Sequence, residues 1–116
     1  MRTVDLFCGC GGMSLGFQMS GYQIVGAFDF WQPALDCYSA NMSQPTYYQD
    51  LSKKNLSLRL IRPLEPELII GGPPCQDFSS AGGREEGERA NLTVSYAKII
   101  KKFAAKVLCN GKCILS

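Results

Sequence analysis

No histidine occurs among the 116 residues. Its absence removes imidazole as a general base and excludes a mixed Cys/His zinc site within this chain. Long apolar runs are missing too. None approaches the ~20 residues that cross a bilayer, so no membrane partner is expected. Met1-Arg2-Thr3-Val4-Asp5 is no signal peptide. A net charge of only +2 provides no strong field for nucleic acid or a membrane surface. There is no internal repeat and no low-complexity segment. Cysteine, in contrast, is plentiful. Six cysteines without a secretion signal point to a reducing, cytoplasmic setting rather than to disulfides. An apolar content of 46% with 19% charge reads as one globular domain with a modest core, spanning residues 1–116.

Strand and helix signals alternate along the chain. Thr3 to Leu6 reads as a short buried strand, running into the glycine-rich turn Phe7-Cys8-Gly9-Cys10-Gly11-Gly12. Met13 to Met19 reads as a helix that Gly21 stops. Gln23 to Phe28 is a second strand, and Pro33 suits the first turn of a helix reaching Asn41. Tyr47 to Gln49 reads as a third strand, and Ser52 as the cap of a helix through Arg62 with Leu56 and Leu60 on one face. Glu67 to Ile70 is a fourth strand, and Gly71 to Ala90 a long loop. Asn91 caps a last helix with Val94, Ala97, Ile100 and Ala104 inward. This alternation means an α/β fold with a parallel sheet and helices on both faces. Ligands of such sheets sit beyond the carboxyl ends of the strands.

Two turns fall at that edge. In the first, Gly9 and Gly11 let the backbone approach a ligand, and the helix that follows offers free N–H groups. Asp29 ends the second strand, placed to accept hydrogen bonds from two ribose hydroxyls. A tight turn with no ligand is the competing reading, since Ser14 stands where a dinucleotide fingerprint has its third glycine. Asp50 and Leu51 offer a side chain and an amide to an adenine edge, although Asp50 also suits a helix cap. In the second turn Pro74 forces Pro73 to be extended, and neither proline has an N–H. The lead-in to Cys75 is therefore stiff, which suits a nucleophile that must be placed accurately. Gln76, Ser79 and Ser80 are candidate hydrogen-bonding partners for a substrate. Cys8, Cys10, Cys109 and Cys113 have spacings that match structural zinc sites poorly, so no metal is expected.

The segments "DLFCGCGGMSLGF", "VGAFDFW", "YQDLS" and "GGPPCQDFSSAG", in this order, resemble the amino-terminal half of cytosine-5 DNA methyltransferases. "ERANLTVSYAKIIKKF" resembles the helix after the catalytic loop in that family. The resemblance implies a doubly wound, Rossmann-like, S-adenosylmethionine-dependent domain, cut short after four or five strands. It implies that Phe7, Gly9, Gly11 and Pro73 line the cofactor site, that Asp29 holds the ribose hydroxyls, and that Trp31 packs near the adenine. Asp29 is shorter than the glutamate common in the family. Asp50 and Leu51 would meet the adenine edge. Cys75 would be the nucleophile, and residues 82–89 would belong to a loop that closes over double-stranded DNA. In the implied chemistry the thiolate adds to cytosine C6 and C5 takes the methyl group. Loss of the C5 proton then expels the cysteine, all on a base swung out of the duplex. Charge developing at N3 and O2 needs an acid and a cation.

Those helpers are not found in these residues. The family's Glu-Asn-Val segment and its later Arg-x-Arg have no counterpart, and no glutamate follows Glu88. The isolated chain is thus expected to be inactive, with a complementing carboxyl-terminal polypeptide as a possible partner. A non-catalytic S-adenosylmethionine-binding module is a further alternative. The likeness breaks near Ala104, and the tail is expected to be out of frame. Read from the second nucleotide of each codon, it can spell Pro-Lys-Phe-Phe-Val-Met-Glu-Asn-Val. The fourth strand would then lack cover, with Lys112 to Ser116 as a makeshift fifth after an Asn110-Gly111 turn.

Overall fold

Val4 and Leu6 alternate with Thr3 and Asp5 along the first strand, and all four are buried. A strand covered on both faces belongs in the middle of a sheet. The computed structural model, which describes residues 1–72, 94, 96–103, 106–109 and 112–115, places it there. For the last two stretches the description is of backbone. The strands are β1 (Arg2–Leu6), β2 (Gln23–Asp29), β3 (Thr46–Tyr48), β4 (Leu68–Gly71), β5 (Lys106–Cys109) and β6 (Lys112–Leu115). Helices α1 (Gly12–Met19), α2 (Gln32–Asn41) and α3 (Lys54–Ile61) link the first four strands, and a 3-10 turn Arg62–Leu64 extends α3. Residues 94 and 96–100 are helical and form α4.

The sheet order is β3-β2-β1-β4-β5-β6. All neighbours are parallel except the β5–β6 pair. The chain steps outward from β1 to β2 to β3, then crosses back to β4 on the other side of β1. The winding therefore reverses between β1 and β4, and in such sheets the crevice for a ligand opens at the carboxyl ends beside that reversal. Each face of the sheet has its own core. Val4, Leu6, Phe28 and Ile69 pack with Leu51, Leu58 and Ile61 and with Tyr96, Ile99 and Ile100 of α4. On the other face Cys8 and Ala27 pack with Leu35, Tyr38 and Met42 of α2 and its carboxyl end.

Local rules account for the helix ends. Gly21 (φ 96°) stops α1, and the Gly21 and Tyr22 N–H groups close onto the Gln18 and Phe17 carbonyls. Pro33 lies in the first turn of α2, where its missing N–H costs nothing.

Several expectations are corrected. Six strands are found among the described residues, where about four or five were expected. The fourth strand is not left uncovered, because β5 pairs with it along its length. The Lys112 segment is the sixth strand, antiparallel to β5, rather than a fifth. Ser52 does not cap α3. The cap residue is Lys53, and Ser52 turns back to Asp50 through its N–H (3.0 Å) and hydroxyl (2.6 Å). On α3 it is Ser57, Leu58 and Ile61 that are buried, with Leu60 half-buried, while Leu56 is 48% exposed. On α4 Tyr96, Ile99 and Ile100 face inward and Phe103 packs against them. Val94 and Ala97 are exposed and Ala104 lies outside the described residues. Tyr96, Ile99, Ile100 and Phe103 follow the i, i+3, i+4, i+7 stripe, which the bulkier side chains take because they bury the most surface.

Candidate active site at the sheet reversal

Backbone hydrogen bonds knit the strand ends at the carboxyl edge. Cys8 N donates to the Phe28 carbonyl (3.0 Å), and Gln49 N to the Asp29 carbonyl (2.9 Å). The glycine turn is thereby fixed beside the end of β2. Phe7 leaves β1 with φ 59°, unusual for a residue with a side chain. Its ring lies 5.9 Å from that of Tyr96. Gly9 and Gly11 also have positive φ, and Leu15 N closes the first helical bond onto the Gly11 carbonyl (2.9 Å). The N–H groups ahead of Leu15 belong to the amino end of α1, at the sheet edge. Gly9 borders open space, whereas a Cβ on Gly11 would stand 2.8 Å from the Tyr38 ring.

Asp29 joins the two elements. Its Oδ2 accepts from Gly9 N (2.9 Å) and its Oδ1 from Phe30 N (2.8 Å). A carboxylate oxygen holds two lone pairs, so each retains acceptor capacity. Trp31 follows, 65% exposed, as the cap residue of α2. Phe30 and Tyr48 are also exposed aromatics here, and were not anticipated from sequence. Asp50 is committed to a local turn, its Oδ1 accepting both bonds from Ser52. Leu51 is fully buried in the core beside Leu58 and Ile61, so its side chain faces away from any ligand. The structure thus brings Phe7, Gly9, Gly11, Asp29 and Trp31 to one edge, with Asp50 just beyond β3. On the other side of β1, Gly71 ends the fourth strand and Gly72 follows it. Pro73, Cys75 and the 82–89 loop lie outside the described residues, as do Gln76, Ser79 and Ser80.

Beneath the glycine turn runs a buried polar chain that sequence reasoning missed. Ser14 Oγ donates to Asp5 Oδ2 (2.5 Å), and Tyr38 OH donates to Ser14 Oγ (3.0 Å). All three residues are essentially inaccessible. Ser14, which breaks the dinucleotide pattern, is therefore the link that ties α1 to β1 and α2. Burial pushes the Asp5 carboxyl up to about 7; the Ser14 hydroxyl opposes this and the Asp29 charge adds to it. Burial likewise raises the Tyr38 phenol to about 12 and drives the Cys8 thiol well above its ordinary value, so Cys8 is an inert core thiol. Among the described residues, no three Cys, Asp or Glu side chains gather as a metal site, and no helix is long and apolar enough to cross a membrane.

The Asp5 shift has a measurable consequence. Between about pH 4 and 7 the folded protein keeps a proton that the unfolded chain has lost. Stability therefore falls as pH rises through this window, by on the order of 4 kcal/mol if Asp5 acts alone. Denaturant unfolding at pH 5 and pH 8 should show the wild type weaker at pH 8. In Asp5→Asn that difference should shrink markedly, and an unchanged difference would refute the assignment.

An α/β sheet with a glycine turn, an acid on the second strand and a glycine-ended fourth strand at its winding reversal defines a Rossmann-like domain. The C-5 cytosine-specific DNA methylase family profile matches residues 1–109, and this chain belongs to that family. It is 56% identical over 101 residues to the type II methyltransferase M.HgiDI of Herpetosiphon aurantiacus, covering 86% of this chain and 33% of that protein. To M.HgiGI of the same organism it is 55% identical over 101 residues, covering 80% of that relative. A prophage-encoded DNA modification methyltransferase of E. coli superposes with a TM-score of 0.76 at 25% identity, over 94% of this chain and 31% of that one. The chain thus spans about a third of M.HgiDI and most of M.HgiGI.

Proposed function

We propose that the chain is the cofactor- and nucleophile-bearing part of a DNA cytosine-5 methyltransferase of a restriction-modification system. The observation that carries this reading is the bond from Gly9 N to the Asp29 carboxylate (2.9 Å), which joins the glycine turn and the second-strand acid at the sheet reversal. The residues there suit S-adenosylmethionine. Asp29 keeps acceptor capacity for ribose hydroxyls, Trp31 offers an exposed ring for an adenine, and the open space at Gly9 admits a ligand against the backbone. Bound S-adenosylmethionine would supply an electrophilic methyl group. Asp50 has one oxygen tied to Ser52, so its share in binding would fall to the other oxygen. Leu51 would contribute its backbone, because its side chain is in the core. Cys75 follows Gly72 by three residues, and three residues of chain reach at most about 11 Å. The nucleophile role proposed for Cys75 rests on the likeness of the Gly-Gly-Pro-Pro-Cys segment that follows the fourth strand. No Glu-Asn-Val or Arg-x-Arg segment occurs in this sequence, and on that ground the isolated chain is proposed to be inactive.

Titration calorimetry with S-adenosylmethionine tests the site. Weak binding is expected for the wild type, with a loss of about tenfold or more in Asp29→Ala, a scale set by losing one or two hydrogen bonds to a charged group. Unfolding midpoints measured alongside separate a binding loss from a folding loss. Equal affinity in the two proteins would remove Asp29 from the site.

A further inference from the structure

The glycine turn carries a thiol that the methyl-transfer chemistry does not use. Cys10 sits between Gly9 and Gly11 and is exposed. The turn lies against α2 beside Cys37, and the neighbouring Cys37 side chain raises the Cys10 thiol above its ordinary range. The two segments are packed together at this point. The residue after Cys10 has room for no Cβ because the Tyr38 ring, next to Cys37, stands 2.8 Å away, and Cys8 and Tyr38 share one buried cluster. Cys37 is half-buried, and Asn41 Nδ2 reaches its sulfur at 3.9 Å and its carbonyl at 2.9 Å. The pair thus combines an accessible thiol, a shielded thiol and two rigid supports.

We infer that Cys10 and Cys37 form a dithiol oxidation site, at which a low-molecular-weight disulfide such as glutathione disulfide reversibly cross-links the glycine turn to α2. The exposed Cys10 sulfur attacks the small disulfide and displaces one glutathione thiol, leaving a mixed disulfide on Cys10. The Cys37 sulfur then attacks Cys10 and displaces the second. One S–S bond forms in the protein as one breaks in the oxidant, and the two protein thiol protons leave on two glutathione molecules. Thiolates are the attacking species. The contact with Cys37 holds the Cys10 thiol protonated above its usual range, so the first step quickens as pH rises. Closure to a bond of about 2.05 Å draws the turn toward α2. Glycines on both sides of Cys10 absorb that movement.

Proteolysis before aspartate reads the cross-link directly. It cuts the chain ahead of Asp5, Asp29, Asp36, Asp50 and Asp77, leaving Cys10 on fragment 5–28 and Cys37 on fragment 36–49. After treatment with glutathione disulfide, acid quench and thiol blocking, these two fragments should appear joined, with tandem mass spectra placing the link at Cys10. Dithiothreitol should separate them again. The joined species should be lost in Cys10→Ser and in Cys37→Ser, and should form faster at pH 8.5 than at pH 7. Separate mixed disulfides on Cys10 and Cys37, or a link from either to another cysteine as the main product, would overturn the inference. The readout is a mass, so it does not depend on the ligand assigned to the turn.

Discussion

Cys75→Ser is expected to abolish methyl transfer, by at least about a thousandfold, since a serine hydroxyl in this setting lacks the readily formed anion of a thiol. The loss has to be measured in a protein that holds the other catalytic groups. A chimera in which the 101 matched residues of this chain replace their counterparts in M.HgiDI, 56% identical, supplies them. With labelled S-adenosylmethionine and mixed-sequence DNA the chimera should place methyl groups on cytosine C5. The isolated chain should place none. The serine variant should retain cofactor binding, because the Gly9–Asp29 pairing lies on the other side of β1 from the fourth strand that leads to Cys75. Retention of activity within tenfold in the serine chimera would remove Cys75 as the nucleophile. Incorporation by the isolated chain would show that these residues suffice for catalysis.

The largest stability loss is expected at Gly71. This residue pairs with Leu6 on one side and Cys109 on the other. A Cβ there would stand 2.4 Å from the Leu6 carbonyl oxygen and 3.1 Å from the Tyr96 ring. A flexible side-chain tip can swing aside, but a carbonyl in the central strand moves only if the β1–β4 register gives way. Gly71→Ala should therefore cost roughly 3 kcal/mol, at the upper end of overpacking penalties. For a domain of this size that lowers the unfolding midpoint by about 10 °C or more. Two other glycines calibrate the result. Gly9 has open space but positive φ, so its alanine variant should lose only about 1 kcal/mol through backbone strain. Gly12 has open space and no such φ, and lies in α1, so alanine there should be neutral or stabilising. A Gly71→Ala midpoint close to that of Gly12→Ala would contradict the packing described.

How far the fold could be read ahead depended on the range of the forces involved. Strands β1, β2 and β4 carry Val, Leu, Ile or Phe runs bounded by turn residues, and helices α1 and α2 carry Gly and Pro at their ends. These are local signals, and they located the elements to within a residue or two. Strands β5 and β6 have four residues each. The β6 strand was anticipated from Lys112 onward, but β5 was not, and the pairing of the two with β4 and with each other is a tertiary matter. The faces of α3 and α4 went astray for a related reason. Several registers place apolar residues on one side, and only the sheet beneath selects Ile61 over Leu56, or Tyr96 over Val94.

The site divides along the same line. Gly9 and Asp29 were legible from the glycine turn and the acid that ends the next strand. The chain from Tyr38 through Ser14 to Asp5 spans separations of 24 and 9 residues and follows no pattern, so it emerges only when α1 and α2 lie side by side. Asp50 was legible as a polar strand end, yet its partner Ser52 was assigned to the helix instead. Two roles competed for one side chain, and the nearer hydrogen bond won.

The central place of β1 also matters while the protein is being made. Its β2 neighbour is synthesised almost at once. Its β4 neighbour comes far later, as the Arg2–Glu67 bond across 65 residues of chain makes plain. At roughly 5–20 residues per second, translation leaves that flank of β1 unpartnered for about 3–13 seconds. The nascent chain thus carries an open strand edge until β4 has been made. That interval, more than the finished sheet, is when other β-rich chains can pair with it and when holding chaperones have something to grip.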